Sequence, residues 1–167
     1  MEQMRQTFSL EERIAELLKL HDLKITCAES CSGGLISGRL VNVPGISSYY
    51  EAGVVTYANA AKEKFLAVPH QMLEEHGAVS PQVAEAMARG ALTFAGADVS
   101  IAVTGIAGPG GGTLEKPVGL VYMACCVKGE VALEKHIFPG DRRAVRESTV
   151  EAALELVLRC LDNLKKR

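Results

Sequence analysis

The sequence predicts a three-layer α/β/α sandwich on a mixed, mostly parallel sheet. Three observations carry that prediction. Short β-branched or apolar runs alternate with stretches of helical periodicity through most of the chain. The run 99–103 is apolar without a polar alternation, as a strand buried on both faces should be. Two further apolar runs, joined at Lys128-Gly129, read as one antiparallel hairpin near the end.

Each element has its own signal. Ser9 and Glu12 make a capping box, and Ile14, Leu17, Leu18 and Leu20 follow at helical spacing, so a first helix runs to about residue 20. Residues 23–27 are short and β-branched and predict a strand; 28–34 form a turn. Leu35, Ile36, Leu40 and Val41 mark a second helix, which Pro44-Gly45 ends. Residues 53–57 predict the second strand. Asn59 is placed to cap a short helix carrying Lys62, Phe65 and Leu66. Residues 69–75 predict another short helix. Ser80-Pro81 combines a cap with proline at the first helical position and starts a helix to about residue 95. Strands over 99–103, 118–127 and 131–138 follow, the last alternating as a half-exposed hairpin partner. Asp141 starts a final helix bearing Val145, Val150, Leu154, Val157, Leu158 and Leu161.

The chain of 167 residues suits a single domain, 1–167, with its core over about 10–162. Composition is that of an ordinary globular protein, and a net charge of -2 gives no basic footprint for nucleic acid. No apolar run approaches the ~20 residues of a membrane span, and residues 1–6 are polar with no signal-peptide core. The expectation is a cytoplasmic protein with a small-molecule substrate and neither nucleic acid nor membrane as partner. Its 5 cysteines are odd in number and fit neither a disulfide framework nor a metal clip, so they read as small hydrophobes in a reducing compartment. The 4 histidines share no metal-ligand spacing, and no metal is expected.

Sheets of this kind bind ligands at the carboxyl ends of their strands. Segments 28–34, 56–62 and 104–112 follow the first three strands and should converge there. Residues 45–62 hold the parts of a hydrolase without histidine: Ser47 as hydroxyl, Tyr57 as phenol, and Lys62 as an amine that desolvation can turn into a base. The plainer reading makes them a turn residue, a strand residue and a solvated helix charge. Short-chain dehydrogenases also use Ser, Tyr and Lys, but with Tyr and Lys four apart on one helix. Tyr57 and Lys62 are five apart, and no G-x-G-x-x-G follows the first strand, which disfavours hydride transfer.

Three other segments suit an anionic ligand. Glu29, Ser30, Cys31, Ser32, Gly33 and Gly34 lead into a helix N-terminus, where exposed amides favour phosphate; Glu29 would meet a ribose hydroxyl or orient the loop. An ordinary capped turn is the alternative. Thr104 opens a loop with Gly105 and Gly108 whose amides can approach an oxyanion closely; it is not a P-loop, and a surface loop is the alternative. Arg142 and Arg146 stand one turn apart, two guanidinium forks for a phosphate or carboxylate, or else ordinary surface charge.

Six runs in order, AESCSGG (28–34), GVVTYANAAK (53–62), HGAVS (76–80), TGIAGPGGG (104–112), KPVGLVY (116–122) and GDRRAVR (140–146), resemble the CinA C-terminal domain family. The resemblance covers about residues 10–162. It implies an α/β/α fold and hydrolysis of the carboxamide of nicotinamide mononucleotide (NMN) to nicotinic acid mononucleotide and ammonia, without cofactor. It places the family's serine, tyrosine and lysine on Ser47, Tyr57 and Lys62, with Ser48 as the neighbouring alternative and Ile46 where the family commonly has serine. On this reading Lys62 deprotonates Ser47 directly or through Tyr57. Thr104 orients the carboxamide or nucleophile, loop 104–112 supplies oxyanion amides, and Arg142 or Arg146, with 30–34, holds the phosphate. Longer relatives carry an additional N-terminal molybdopterin-binding-like domain, so the expectation is the stand-alone amidohydrolase. A homodimer or higher homo-oligomer is expected, with the hairpin edge 118–138 as a candidate interface. The alternatives are a non-catalytic nucleotide-binding module and an amidase with another substrate.

Overall fold

The computed structural model describes residues 8–164. Helix α1, Leu10–His21, starts where the Ser9 hydroxyl accepts from the Glu12 N–H and the Glu12 carboxylate accepts from the Ser9 N–H. Its far end closes through Leu23, whose N–H donates to the Leu18 carbonyl at 2.9 Å. That bond holds Leu23 in the cap, so β1 spans Ile25–Glu29 rather than 23–27. Helix α2, Leu35–Leu40, leads to a 3₁₀ turn at Ile46–Ser48. Strand β2 is only Val54–Val55. The predicted run to residue 57 stops short because the Thr56 and Tyr57 carbonyls turn away to a lysine.

Helix α3, Asn59–Leu66, has Ala58 as its N-cap, so Asn59 is the first helical residue and not the cap. Helices α4, His70–His76, and α5, Pro81–Ala95, follow, the latter capped by the Ser80 hydroxyl. Strands β3, Val99–Gly105, β4, Leu120–Val127, and β5, Glu130–Ile137, precede the long helix α6, Arg142–Leu164. Strand β4 begins two residues later than expected. A side chain at Gly119, with φ +92, would put its Cβ 2.1 Å from the Phe138 carbonyl oxygen.

The sheet order is β2-β1-β3-β4-β5. Strand β1 is parallel to β2 and β3; β4 is antiparallel to β3 and β5, so one strand of five is reversed. Residues of α1, α2 and α6 (Ile14, Leu18, Ile36, Leu154) fill the core on one face, with Ile101 and Met123 of the sheet. Residues of α3, α4 and α5 (Leu66, Leu73, Val83, Met87) fill the core on the other, against Ala102 and Ala124. Cys125 and Cys126 point into opposite cores, as strand alternation requires, and all five cysteines are free. Among the described residues no helix is long and apolar enough to cross a membrane.

Candidate active site

The parallel strands end side by side. Glu29 pairs with Val103, and the Ser30 N–H donates to the Val103 carbonyl, which sets Ser30 beside Thr104. The Thr56 N–H donates to the Glu29 carbonyl at 2.8 Å, bringing the end of β2 to the same level. Lys62 then enters from the first turns of α3. Helical side chains lean toward the N-terminus of their helix, and the Lys62 amine accordingly lies against the residues before α3. Its Nζ is 3.1 Å from Ser30 Oγ, 2.7 Å from the Thr56 carbonyl oxygen and 3.5 Å from that of Tyr57. Lys62 is 1% exposed. Burial pushes its amine down from 10.5 to about 8.

The turn that presents Ser30 is held from two sides. The buried Glu29 carboxylate accepts five hydrogen bonds: from the Ser32 hydroxyl, the Gly34, Ile36 and Ser37 amides, and the Ser37 hydroxyl. The helix N-terminus that the sequence offers to a phosphate is thus filled by the chain's own carboxylate. Arg146 donates to the Cys31 and Ser32 carbonyls at 3.0 Å each, so it clamps this turn from α6 and its guanidinium is engaged there. Gly33 lies under it: an added Cβ would stand 3.0 Å from Arg146 Nη2. Cys31 is buried beside Ser30, and burial raises its thiol to about 11, which keeps it protonated and weakly nucleophilic.

Opposite lies the glycine loop. Gly105 admits no side chain, since a Cβ would meet Val121 Cγ2 at 2.6 Å. Thr104 donates its hydroxyl to the Ala78 carbonyl at 2.8 Å, tying the 76–80 segment to the end of β3. Tyr57 turns only its carbonyl to Lys62. Its ring is 60% exposed, and its hydroxyl accepts from Arg142 Nη2 at 2.6 Å while Arg142 Nη1 donates to the Gly108 carbonyl. The phenol therefore does not stand between Ser30 and Lys62, which touch directly. These parts enclose a cleft of about 300 Å³ lined by Ser30, Cys31, Tyr57, Asn59, Lys62, Thr104, Gly105, Gly108 and Arg142, among others. Arg142 also borders a groove of about 830 Å³ with Ala107, Gly140, Arg143 and Arg146.

Ser47 and Ser48 are elsewhere. Both are exposed in the 3₁₀ turn, and the next residue, Tyr49, accepts from the Ile25 N–H, placing the turn at the amino end of β1. Ser30 lies past the carboxyl end of that strand, roughly 16 Å away at about 3.3 Å per residue. The reason is topological. Strands β1 and β2 are parallel, so the chain between them must return to the amino edge, and residues 46–50 occupy that return. The structure brings Lys62 to Ser30 and not to Ser47. The sequence signal for Ser30 was its place directly after a parallel strand. The expectation for Asn59 is a cap, and Ala78 and Val79 stand in the motif run HGAVS with no role assigned; all three line the cleft.

The model of the CinA C-terminal domain matches residues 7–161. A CinA-like protein of Dictyoglomus thermophilum is 47% identical over 156 residues, 93% of this chain and 38% of that protein. The chain thus spans well under half the length of the curated relatives it matches. The crystal structure of competence/damage inducible protein CihA from Agrobacterium tumefaciens superposes with a TM-score of 0.88 at 44% identity, covering 92% of this chain and 93% of that one. A CinA superfamily protein from Klebsiella pneumoniae gives 0.88 at 36% identity, covering 92% and 96%. With five of the six ordered motifs placed around one cleft and these matches along nearly the whole length, the chain belongs to the CinA C-terminal domain family.

Proposed function

We propose that this chain hydrolyses the carboxamide of NMN to nicotinic acid mononucleotide and ammonia, with Ser30 as nucleophile and Lys62 as its base. The observation that carries the catalytic part is the contact of Ser30 Oγ with a buried Lys62 amine at 3.1 Å. The substrate is inferred from the family motifs.

A neutral amine has two N–H donors and one lone pair. With Nζ donating to the Thr56 carbonyl at 2.7 Å and the Tyr57 carbonyl at 3.5 Å, loss of the proton that Lys62 otherwise donates to Ser30 Oγ turns the lone pair to that hydroxyl. Burial makes this neutral state accessible near pH 8. Ser30 Oγ attacks the carboxamide carbon as its proton passes to Lys62. Gly105, Gly108, Gly110 and Gly111 of the glycine loop line the cleft, and, with the Ile106 amide taken by the Leu120 carbonyl, an amide from among them would serve the oxyanion. Lys62 returns the proton to the departing nitrogen, ammonia leaves, and an ester to Ser30 remains. Water, deprotonated by Lys62, opens that ester and restores both groups. Two of the five N–H groups of Arg142 are occupied at Tyr57 and Gly108, leaving the others for the substrate phosphate at the junction of cleft and groove. Association through the hairpin edge is part of the same proposal, with β5 as an outer strand of the sheet. Ammonia release from NMN tests the reaction, and the absence of any above the Ser30→Ala background would overturn it in favour of a binding module.

A further inference from the structure

We infer that Asn59 reads the substrate's primary carboxamide and so sets the preference for an amide over an ester; the inference rests on the amide hydrolysis proposed above. Asn59 lines the cleft with Lys62, three residues later on the same helix and hence on the same face. Because the Lys62 side chain leans back to the carbonyls of Thr56 and Tyr57, its amine stands level with the first turn of α3, where Asn59 is. The Asn59 side chain therefore flanks the place where the scissile group must sit.

Stability does not account for an asparagine there. It makes no cap bond, since Ala58 is the N-cap and no side chain caps this helix. Asparagine is a weak helix former. None of the side-chain hydrogen bonds that shape the cleft, made by Ser32, Lys62, Thr104, Arg142 and Arg146, involves it. What the residue does offer is a carboxamide with one acceptor and a two-hydrogen donor, the complement of another primary carboxamide. Ser30 and Lys62 do not discriminate amide from ester: both present a carbonyl carbon, and an ester is the easier to cleave. An acceptor for the substrate N–H supplies discrimination, because an ester in the same place leaves Asn59 Oδ1 unpaired.

The test compares NMN with the methyl ester of nicotinic acid mononucleotide, in the intact chain and in Asn59→Ala and Asn59→Asp. The ratio of kcat/KM for amide over ester should fall by about 10-fold or more in Asn59→Ala. Asn59→Asp keeps the acceptor and should retain most of the ratio while binding the carboxylate product more weakly. Thermal melting should hardly change in either variant, because the residue is exposed and uncapping. An unchanged amide-to-ester ratio in Asn59→Ala, with the unsubstituted protein active on NMN, overturns the role of Asn59 alone. No ammonia from the unsubstituted protein overturns the amidase reading, and this inference falls with it.

Discussion

Two serine-bearing turns lie at opposite ends of strand β1, and their surroundings differ in kind. The turn at its carboxyl end buries Ser30 to 8% exposure, fixes its backbone through Glu29 and Arg146, and sets it against a desolvated amine. The turn at its amino end leaves Ser47 and Ser48 in solvent, far from Lys62. Both have a glycine within three residues. What separates them is the direction of the strand, since parallel topology gathers loops at one end only. A hydroxyl becomes a nucleophile by its base, and the proposed base, Lys62, meets Ser30 because α3 follows β2 so closely that its side chain folds back toward the residues before its own helix.

The sharpest break of that comparison is a pair of single substitutions. Ser30→Ala should lower kcat on NMN by about 10⁴-fold or more, the scale expected for loss of a serine nucleophile. Ser47→Ala should stay within about twofold, as an exposed turn substitution does. The reverse pattern would return the nucleophile to the amino-end turn and empty the Ser30–Lys62 contact of meaning. Lys62→Met should follow at about 10³-fold, since Ser30 remains but loses its base. Rates that stay high in Lys62→Met would mean another group accepts the serine proton.

The clamp on the Ser30 turn gives a smaller effect, read in stability. Glu29→Gln keeps the size of the side chain but turns half of an acceptor into a donor facing donors from Gly34, Ile36 or Ser37. The expected cost is about 3 kcal/mol, a lowering of Tm by roughly 10 °C. A substitution at Ser48 should leave Tm within about 1 °C. Equal melting of Glu29→Gln and the unsubstituted chain would show that the carboxyl-end turn is no more fixed than the other.

Much of this was legible along the chain. The Ser9–Glu12 box, Ser80-Pro81 and the unbroken apolar run of β3 each name an element by a local mechanism, and each is present. The hairpin was readable because Lys128-Gly129 separates two apolar runs. Lys62 was readable as a residue and not as a position, because its burial depends on α5 and the sheet closing over it. The same limit explains Ser47. Spacing along 45–62 measures contour length, whereas the return from β1 to β2 doubles the path and carries Ser47 away from the residues it precedes. Glu29 was legible as one of two roles: the five hydrogen bonds to its carboxylate give it the orienting of its own loop, a role that sequence alone does not separate from waiting for a ligand.

The smallest expected effect comes from Lys62 alone and has a definite sign. Its amine titrates at about 8 in the folded chain against 10.5 when solvated. The unfolded chain therefore binds more protons between those values, and stability must rise with pH across that window. Below pH 8 the buried charge imposes its full cost; above it the cost is relieved. From pH 7 to pH 9 the gain is about 1 kcal/mol, with a limiting slope of about 1.4 kcal/mol per unit. Other groups titrate in this range too, so the quantity to measure is the difference in unfolding free energy between the unsubstituted chain and Lys62→Met, by denaturant melts at several pH values. That difference should grow in favour of lysine as pH rises, and kcat/KM for NMN should climb over the same interval as the amine loses its proton. Changing Lys64, on the same helix but clear of the cleft, should shift neither profile. A flat difference from pH 7 to 9 would mean that Lys62 keeps an ordinary ammonium, and the contrast between the two ends of β1 would then lose its electrostatic cause.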